Sequence, residues 1–238
     1  MFIFVRNIKL MKKLFIVMSV LLALILIGFH FADLNPTITS TSSFEMKGID
    51  ISHHNSISNW RSVNNQVGFC IIKSTEGSKY KDPMFNSNWK SSKKNNLVRG
   101  AYHFFKPGVS GDKQFENFKN TVKLVSGDLP PVLDVELKEC DINEIKIFLE
   151  LAEKHYGVTP IVYSDYLFFK VFLDGKIDTK YPLWIYIDES YSLKPSFNDY
   201  NCVLWQYSHN GVVNGVDGEV DLDSFIGDSL SFESLKIK

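Results

Sequence analysis

The 238-residue chain has a formal net charge of −1 at pH 7, and 45% of its residues are hydrophobic. These values are typical of one globular domain and exclude a disordered or fibrous chain. Basic residues do not cluster beyond the first segment of the chain. Because phosphate binding needs a concentrated basic surface, nucleic acid is not a predicted partner.

The N-terminal segment differs in composition from the rest of the chain. Residues 1–13 are basic, and residues 14–32 then contain no Asp, Glu, Lys or Arg. A run of this length is close to the ~20 residues of a membrane helix, and the preceding positive charge predicts a cytoplasmic N-terminus with the remainder exported. We therefore expect a cytoplasmic basic segment at 1–13 and a transmembrane signal anchor at 14–32. The alternative is a cleaved signal peptide and a secreted protein, although the end of the run, GFHFADLNP, lacks a small-x-small cleavage site.

The next segment, residues 33–46, is rich in Ser and Thr and has no apolar period. It predicts a linker that reaches no more than roughly 50 Å when fully extended. The folded domain is expected at 47–238, and we expect it to act as a monomer held near the cytoplasmic membrane.

Short apolar segments alternate with helical patterns through this domain. The helical patterns are clearest at 112–125 and 142–157, where Gly157 is suited to a C-cap. This order predicts a TIM-like (β/α)5(β)3 barrel in which the last strands lack standard helices, with an open doubly wound sheet as the alternative. A Gly-rich dinucleotide or phosphate loop follows none of the strands, so no cofactor is predicted. The eight expected strands are at 47–52, 69–75, 98–105, 130–136, 160–165, 182–188, 203–208 and 219–225.

Four acids fall at the expected ends of strands. Asp134 and Glu136 close one strand, and their spacing of two places them on the same face. Asp50 and Asp221 belong to the first and last strands, which adjoin in a closed barrel. A single acid at such a position is often a helix cap or a solvated charge, but the C-terminal ends of barrel strands carry the active site. The cluster therefore indicates acid/base chemistry.

The D-x-E pair predicts a general acid. Two carboxylates in a partly desolvated cavity disfavour ionising together, so one pKa should rise enough to keep a proton. Glu136 would then protonate a leaving oxygen. Neighbours on one strand do not easily straddle a sugar ring. The second role in glycoside hydrolysis therefore belongs to Asp50 or Asp221 across the barrel, or to a substrate 2-acetamido oxygen that Asp134 orients.

Several motifs follow one another in order between about residues 47 and 225: KGIDIS, IIKSTEG, DPMFNSNWKSSKKNNLVRGAYHF, PPVLDVE, PIVYS, LWQYS and GEVDLDSF. In these motifs the domain resembles the glycoside hydrolase family 25 lysozymes, the Chalaropsis-type N-acetylmuramidases. The resemblance implies a (β/α)5(β)3 barrel that cleaves the β-1,4 bond between N-acetylmuramic acid and N-acetylglucosamine in peptidoglycan without a metal. It also implies that Asp50, Asp134, Glu136 and Asp221 are the catalytic acids, with Glu136 as the proton donor.

Two positions depart from the family pattern. Asp223 stands where Asn is usual, and Tyr186 stands where a small residue is common. Neither departure removes a catalytic acid. Both are expected to alter the charge or width of the groove.

Further residues are candidates for lining a sugar groove. Lys73 ends the second strand and is expected to point into the site. Uncertain strand parity leaves open whether Tyr102 or His103 faces inward. The adjacent histidines of SHHN have no later histidine pair at ligand spacing, so no metal site is predicted. The remaining substrate-binding candidates are Tyr163, Trp184, Gln206 and Tyr207, each of which is equally suited to a core position.

The sequence thus predicts a membrane-tethered peptidoglycan hydrolase. A non-catalytic glycan-binding barrel and an endoglycosidase acting on another N-acetylated glycan are the alternatives. Retention of all four acids favours catalysis over the first, and the second differs only in substrate.

Overall fold

The computed structural model describes residues 46–190, 197 and 200–238. The predicted basic segment at 1–13, the predicted membrane helix at 14–32 and all of the linker except Met46 lie outside the described residues. Within the described part of the chain, none of the helices combines the length and apolar character needed to cross a bilayer.

Eight strands form the barrel, and each matches one of the eight predicted segments. The additional short strands are β2 (Ser56–Ile57), β4 (Tyr80–Lys81) and β10 (Val216–Asp217). The barrel strands are β1 (Lys47–Ile51), β3 (Phe69–Glu76), β5 (Val98–Phe104), β6 (Val132–Asp134), β7 (Ile161–Asp165), β8 (Leu183–Tyr186), β9 (Cys202–Gly211) and β11 (Val220–Phe225).

The sheet closes on itself. Strands β1, β3, β5, β6, β7, β8 and β9 pair in parallel in that order. Strand β11 then runs antiparallel to both β9 and β1, which completes the ring. Closure confirms the barrel prediction and excludes the open doubly wound sheet.

Helices fill the connections between the first six barrel strands. They are α1 (Trp60–Asn64), α2 (Phe85–Lys94), α3 (Gly111–Thr121), α4 (Ile142–Tyr156) and α5 (Tyr166–Phe168), which continues into a π-helical turn at Phe169–Leu173. The helix α6 (Ser229–Leu235) follows the last strand.

The ends of α4 illustrate how local sequence sets the helix boundaries. The Asp141 side chain accepts a hydrogen bond from the backbone N–H of Asn143 at the N-terminus. At the C-terminus Gly157 has a φ of 68°, a left-handed conformation that glycine adopts without strain.

Alternation along the strands divides the core into two layers. Outward residues such as Ile49, Ile72 and Val162 pack beneath the helices. Inward residues such as Ile71, Val132 and Leu204 fill the barrel, and Phe232 of α6 belongs to this inner cluster. The Phe232 ring lies 5.6 Å from that of Phe69 and 5.1 Å from that of Phe225, centroid to centroid. One end of the barrel is therefore packed with apolar side chains, which leaves the other end for polar ones.

Candidate active site

A polar cleft of about 210 Å³ opens where the parallel strands end. The position agrees with the general placement of active sites in β/α barrels. All four predicted catalytic acids line it, as do most of the predicted substrate-binding residues. The lining residues are Asp50, Ser52, His54, Lys73, Tyr102, Phe104, Asp134, Glu136, Tyr163, Trp184, Gln206, His209 and Asp221.

Asp50 is fixed by a relay of hydrogen bonds across the barrel. The Gln206 amide Nε2 donates to Asp50 Oδ2 at 2.6 Å, and Tyr163 Oη donates to Gln206 Oε1 at 2.5 Å. Burial raises the pKa of Asp50, and the neighbouring charges of Asp223 and Asp221 raise it further, against the opposing effect of the Gln206 hydrogen bond. Gln206 and Tyr163 therefore lie in the cleft as predicted, and they orient an acid.

Asp134 and Glu136 share the inward face. Asp134 ends β6 and is 6% exposed, whereas Glu136 lies two residues beyond and is half-buried. Burial raises the pKa of both carboxyls, and the charge of Glu136 adds to the effect on Asp134. Among the described residues, Asp134 Oδ1 is buried without a hydrogen-bond partner. The pair therefore places two carboxyls of raised pKa side by side in the cleft, so that one of them keeps a proton to higher pH than an ordinary carboxyl.

His209 also lines the cleft, and it was not among the residues predicted from the sequence. The register between β9 and β11 shifts around Asp221, since Gly211 pairs with Val220 and Ser208 pairs with Leu222. Such a bulge re-aims a side chain. His209 Nδ1 lies 2.8 Å from Asp221 Oδ1.

Asp223 lies deeper than the four predicted acids and is fully buried. Trp184 Nε1 donates to Asp223 Oδ1 at 2.9 Å, and the Asp223 carboxyl shares a side-chain hydrogen bond with Asp50. Burial raises the pKa of Asp223, and the charge of Asp221 raises it further. Trp184 thus supports this acid while it also lines the cleft.

Lys73 faces the cleft as predicted, and of the two residues whose parity was open, Tyr102 is the one that lines the cleft. The Lys73 ammonium is 2.9 Å from Glu76 Oε2 and 4.9 Å from the centroid of the Phe104 ring. Its charge lowers the pKa of Asp134 and of Glu136, opposing their burial. It therefore balances part of the negative charge of the site.

Two predicted substrate-binding residues lie elsewhere, because the strands place them on the outer face. His103 is fully buried under the helices. There its Nδ1 is 2.7 Å from Thr75 Oγ1, and its ring stacks on Phe148. Tyr207 follows the inward Gln206 and packs instead against Trp205, with their ring centroids 5.7 Å apart. The predictions for His103 and Tyr207 were wrong, because successive strand residues point to opposite faces.

The histidines of the SHHN loop border the cleft. His54 is exposed and contributes to the lining. His53 is anchored instead, since its Nδ1 lies 2.7 Å from Asp82 Oδ2. No group of three or more potential metal ligands occurs among the residues for which coordinates are described.

The barrel and its cleft of paired carboxyls define a class of protein: enzymes that cleave glycosidic bonds with carboxyl groups. The comparisons identify the family. The model for glycosyl hydrolases family 25 matches residues 49–216, and the chain belongs to this family. It is a glycoside hydrolase.

Relatives and solved structures agree with that assignment. Protein YegX of Escherichia coli K12 is 35% identical over 213 residues, covering 83% of this chain and 77% of the relative. Lysozyme M1 of Streptomyces globisporus is 30% identical over 211 residues, covering 80% and 71%. The structure of a family 25 glycosyl hydrolase from Bacillus anthracis superimposes with a TM-score of 0.76 at 28% identity, covering 83% of this chain and 96% of that one.

Proposed function

We propose that this chain is a lysozyme that cleaves the β-1,4 bond between N-acetylmuramic acid and N-acetylglucosamine in peptidoglycan, with Glu136 as the general acid. The observation that carries the proposal is the Asp134–Glu136 pair in the cleft. Glu136 is half-buried and its pKa is raised, first by burial, so it keeps a proton to higher pH than an ordinary carboxyl. The similarity to lysozyme M1 supports the choice of substrate.

The other acids have distinct roles in the proposal. Asp134 is adjacent to Glu136 rather than across a sugar ring, and its carboxyl, which lines the cleft, is an acceptor for the N–H of the substrate's 2-acetamido group. The carbonyl oxygen of that group then attacks the anomeric carbon as Glu136 protonates the leaving oxygen. Water opens the cyclic intermediate, with Glu136 now acting as the base.

Asp50 and Asp221 form the wall on the side of β1 and β11, where they are register partners. Asp50 is fixed by Gln206. We assign to the Asp221 carboxylate the stabilisation of positive charge that develops on the sugar ring in the transition state. Asp50, whose raised pKa favours the protonated carboxyl, serves as a hydrogen-bonding group in the same wall. Lys73 limits the net negative charge of the cleft, which keeps the pKa of Glu136 from rising further.

The stereochemistry of the product tests the participation of the acetamido group. Two displacements at the anomeric carbon retain its configuration, whereas direct attack by water inverts it. Proton NMR of the first product formed from a soluble peptidoglycan fragment is the measurement. A β-anomer supports the route, and an initial α-anomer contradicts it.

The proposed place of action is the outer side of the cytoplasmic membrane, where the chain is held as a monomer by residues 14–32. The basic residues at 1–13 and the uncharged run that follows support this orientation. N-terminal sequencing of the protein recovered from membranes is the test. An intact N-terminus in the membrane fraction supports the anchor, and a shortened chain in the medium or periplasm contradicts it.

A further inference from the structure

The Tyr186 and His209 rings stack beside the cleft. Their centroids are 3.8 Å apart and their planes are inclined by 36°. Tyr186 is the last residue of β8, and His209 stands in the β9 bulge. The two strands are neighbours, so this contact joins two adjoining parts of the cleft wall.

The stacked histidine makes one polar contact that reaches a proposed catalytic acid. His209 Nδ1 lies 2.8 Å from Asp221 Oδ1, although both side chains are partly open to solvent, at 49% and 33% exposed. An exposed pair of this kind contributes little to stability. The contribution of the His209–Asp221 contact is therefore to geometry, because the hydrogen bond selects one orientation of a carboxylate that could otherwise rotate in solvent.

We propose that His209 is a positioning residue that orients the Asp221 carboxylate towards the substrate, and that Tyr186 holds the imidazole in place. The proposal rests on the proposed function, since it assigns a supporting group to the same site. It also explains why a large ring stands at 186, a position at which the family resemblance leads one to expect a small residue.

The charged surroundings of His209 favour its cationic form. Asp221 lies on β11, Glu136 follows β6, and Asp188 follows β8. The hydrogen bond with Asp221 raises the pKa of His209, as do the charges of Asp221, Glu136 and Asp188, in opposition to burial. In either charge state the Nδ1–H group can donate to Asp221, so the orienting contact persists above the pKa of the imidazole.

Substitutions at His209 separate the effect of its hydrogen-bond donor from the effect of its imidazole ring. His209→Ala removes both, whereas in His209→Asn the amide nitrogen takes the place of Nδ1 as a donor. Tyr186→Ala leaves the imidazole without its stacking partner. His155→Ala, which removes a histidine on α4 outside the cleft, is the matched control.

The first experiment measures kcat and KM of the full-length variants for release of reducing ends from peptidoglycan. We expect kcat to fall about tenfold in His209→Ala, which corresponds to a loss of ~1.4 kcal/mol of transition-state stabilisation, and several-fold in Tyr186→Ala. KM should change less than about twofold, because the contact orients a catalytic group rather than binding the substrate. His209→Asn should recover most of the loss. Unchanged kcat in His209→Ala, or an Asn variant as impaired as the Ala variant, would overturn the proposal.

The second experiment does not depend on turnover. An NMR titration of the imidazole protons, in wild type and in Asp221→Asn, reports the contact directly. We expect the His209 pKa to lie above its ordinary value in wild type and to fall in Asp221→Asn. A His209 pKa that is the same in wild type and in Asp221→Asn would overturn the pairing. If wild type released no reducing ends while the titration behaved as expected, the proposed function would fail and the pairing would stand.

Discussion

Asp223 is a buried acid at the centre of the barrel, and replacing it with Asn should stabilise the protein at neutral pH. Asn has nearly the same shape and keeps an oxygen for the hydrogen bond from Trp184 Nε1. It removes the charge, and its Nδ2 takes the place of the buried Oδ2, where it can donate to the neighbouring Asp50 carboxyl. Once Asp223 is ionised its Oδ2 has no donor, and leaving a buried polar group unsatisfied costs about 1–3 kcal/mol, which sets the expected gain in the free energy of unfolding.

The raised pKa of Asp223 fixes the direction in which the free energy of unfolding changes with pH. The folded state raises the pKa of Asp223 by burial and by the charge of Asp221, so the native protein holds a proton that the unfolded chain releases. Wild-type stability is therefore highest below the unfolded pKa and falls as pH rises through the folded one. The Asn variant lacks this loss, so its advantage should be small at pH 4 and reach its full size at pH 8.

Thermal unfolding of the full-length chain at the two pH values is the assay. A gain of 1–3 kcal/mol corresponds to a Tm increase of roughly 2–12 °C for a domain of this size. Asp217→Asn, at an exposed carboxylate, is the matched control and should leave Tm unchanged. An equal Tm shift at pH 4 and pH 8, or a lower Tm for Asp223→Asn at pH 8, would refute the reasoning.

Three further predictions concern the Asp134–Glu136 pair, the neighbouring His209 and the apolar end of the barrel around Phe232. Asp134→Asn should lower kcat by ~10²-fold or more, measured as reducing ends released; a change of only a few-fold would remove Asp134 from the mechanism. In His209→Asn the basic limb of kcat/KM should move to higher pH, because the cation that lowers the pKa of Glu136 is lost, and an unmoved limb in the pH–rate profile would contradict this. Phe232→Ala should lower the free energy of unfolding, measured in urea, by about 3–5 kcal/mol, because it leaves a cavity at a fully buried aromatic site. A loss below about 1 kcal/mol would show that the apolar end of the barrel repacks around the cavity.

The strand pattern was predictable because the signals are local. A short apolar segment marked each barrel strand, and a spacing of two placed Asp134 and Glu136 on one face. Closure of the ring brought Asp50 and Asp221 together, as the order of elements predicts. Tyr163, Trp184 and Gln206, for which core and groove positions were equally suited, point inward and line the cleft.

The wrong and missing site residues are those whose strand face cannot be read from the sequence. His103 and Tyr207 lie on the outer face, since each stands one residue from an inward side chain. His209 was overlooked because a bulge in β9 re-aims it, and that bulge is set by the way β9 pairs with β11, which the sequence does not show. Asp223 was recognised only as a departure from the family pattern, and its depth in the barrel required coordinates.

The most direct test of the central assignment compares wild type with Glu136→Gln on purified peptidoglycan, using the full-length chain and mass spectrometry of the soluble products. Wild type should release disaccharide-peptides that end in a reducing N-acetylmuramic acid. Glu136→Gln should release none while it still binds the glycan, because the amide fills the same space and carries no proton to transfer to the leaving oxygen. Normal product release by Glu136→Gln would contradict the account, as would wild-type products that end in reducing N-acetylglucosamine.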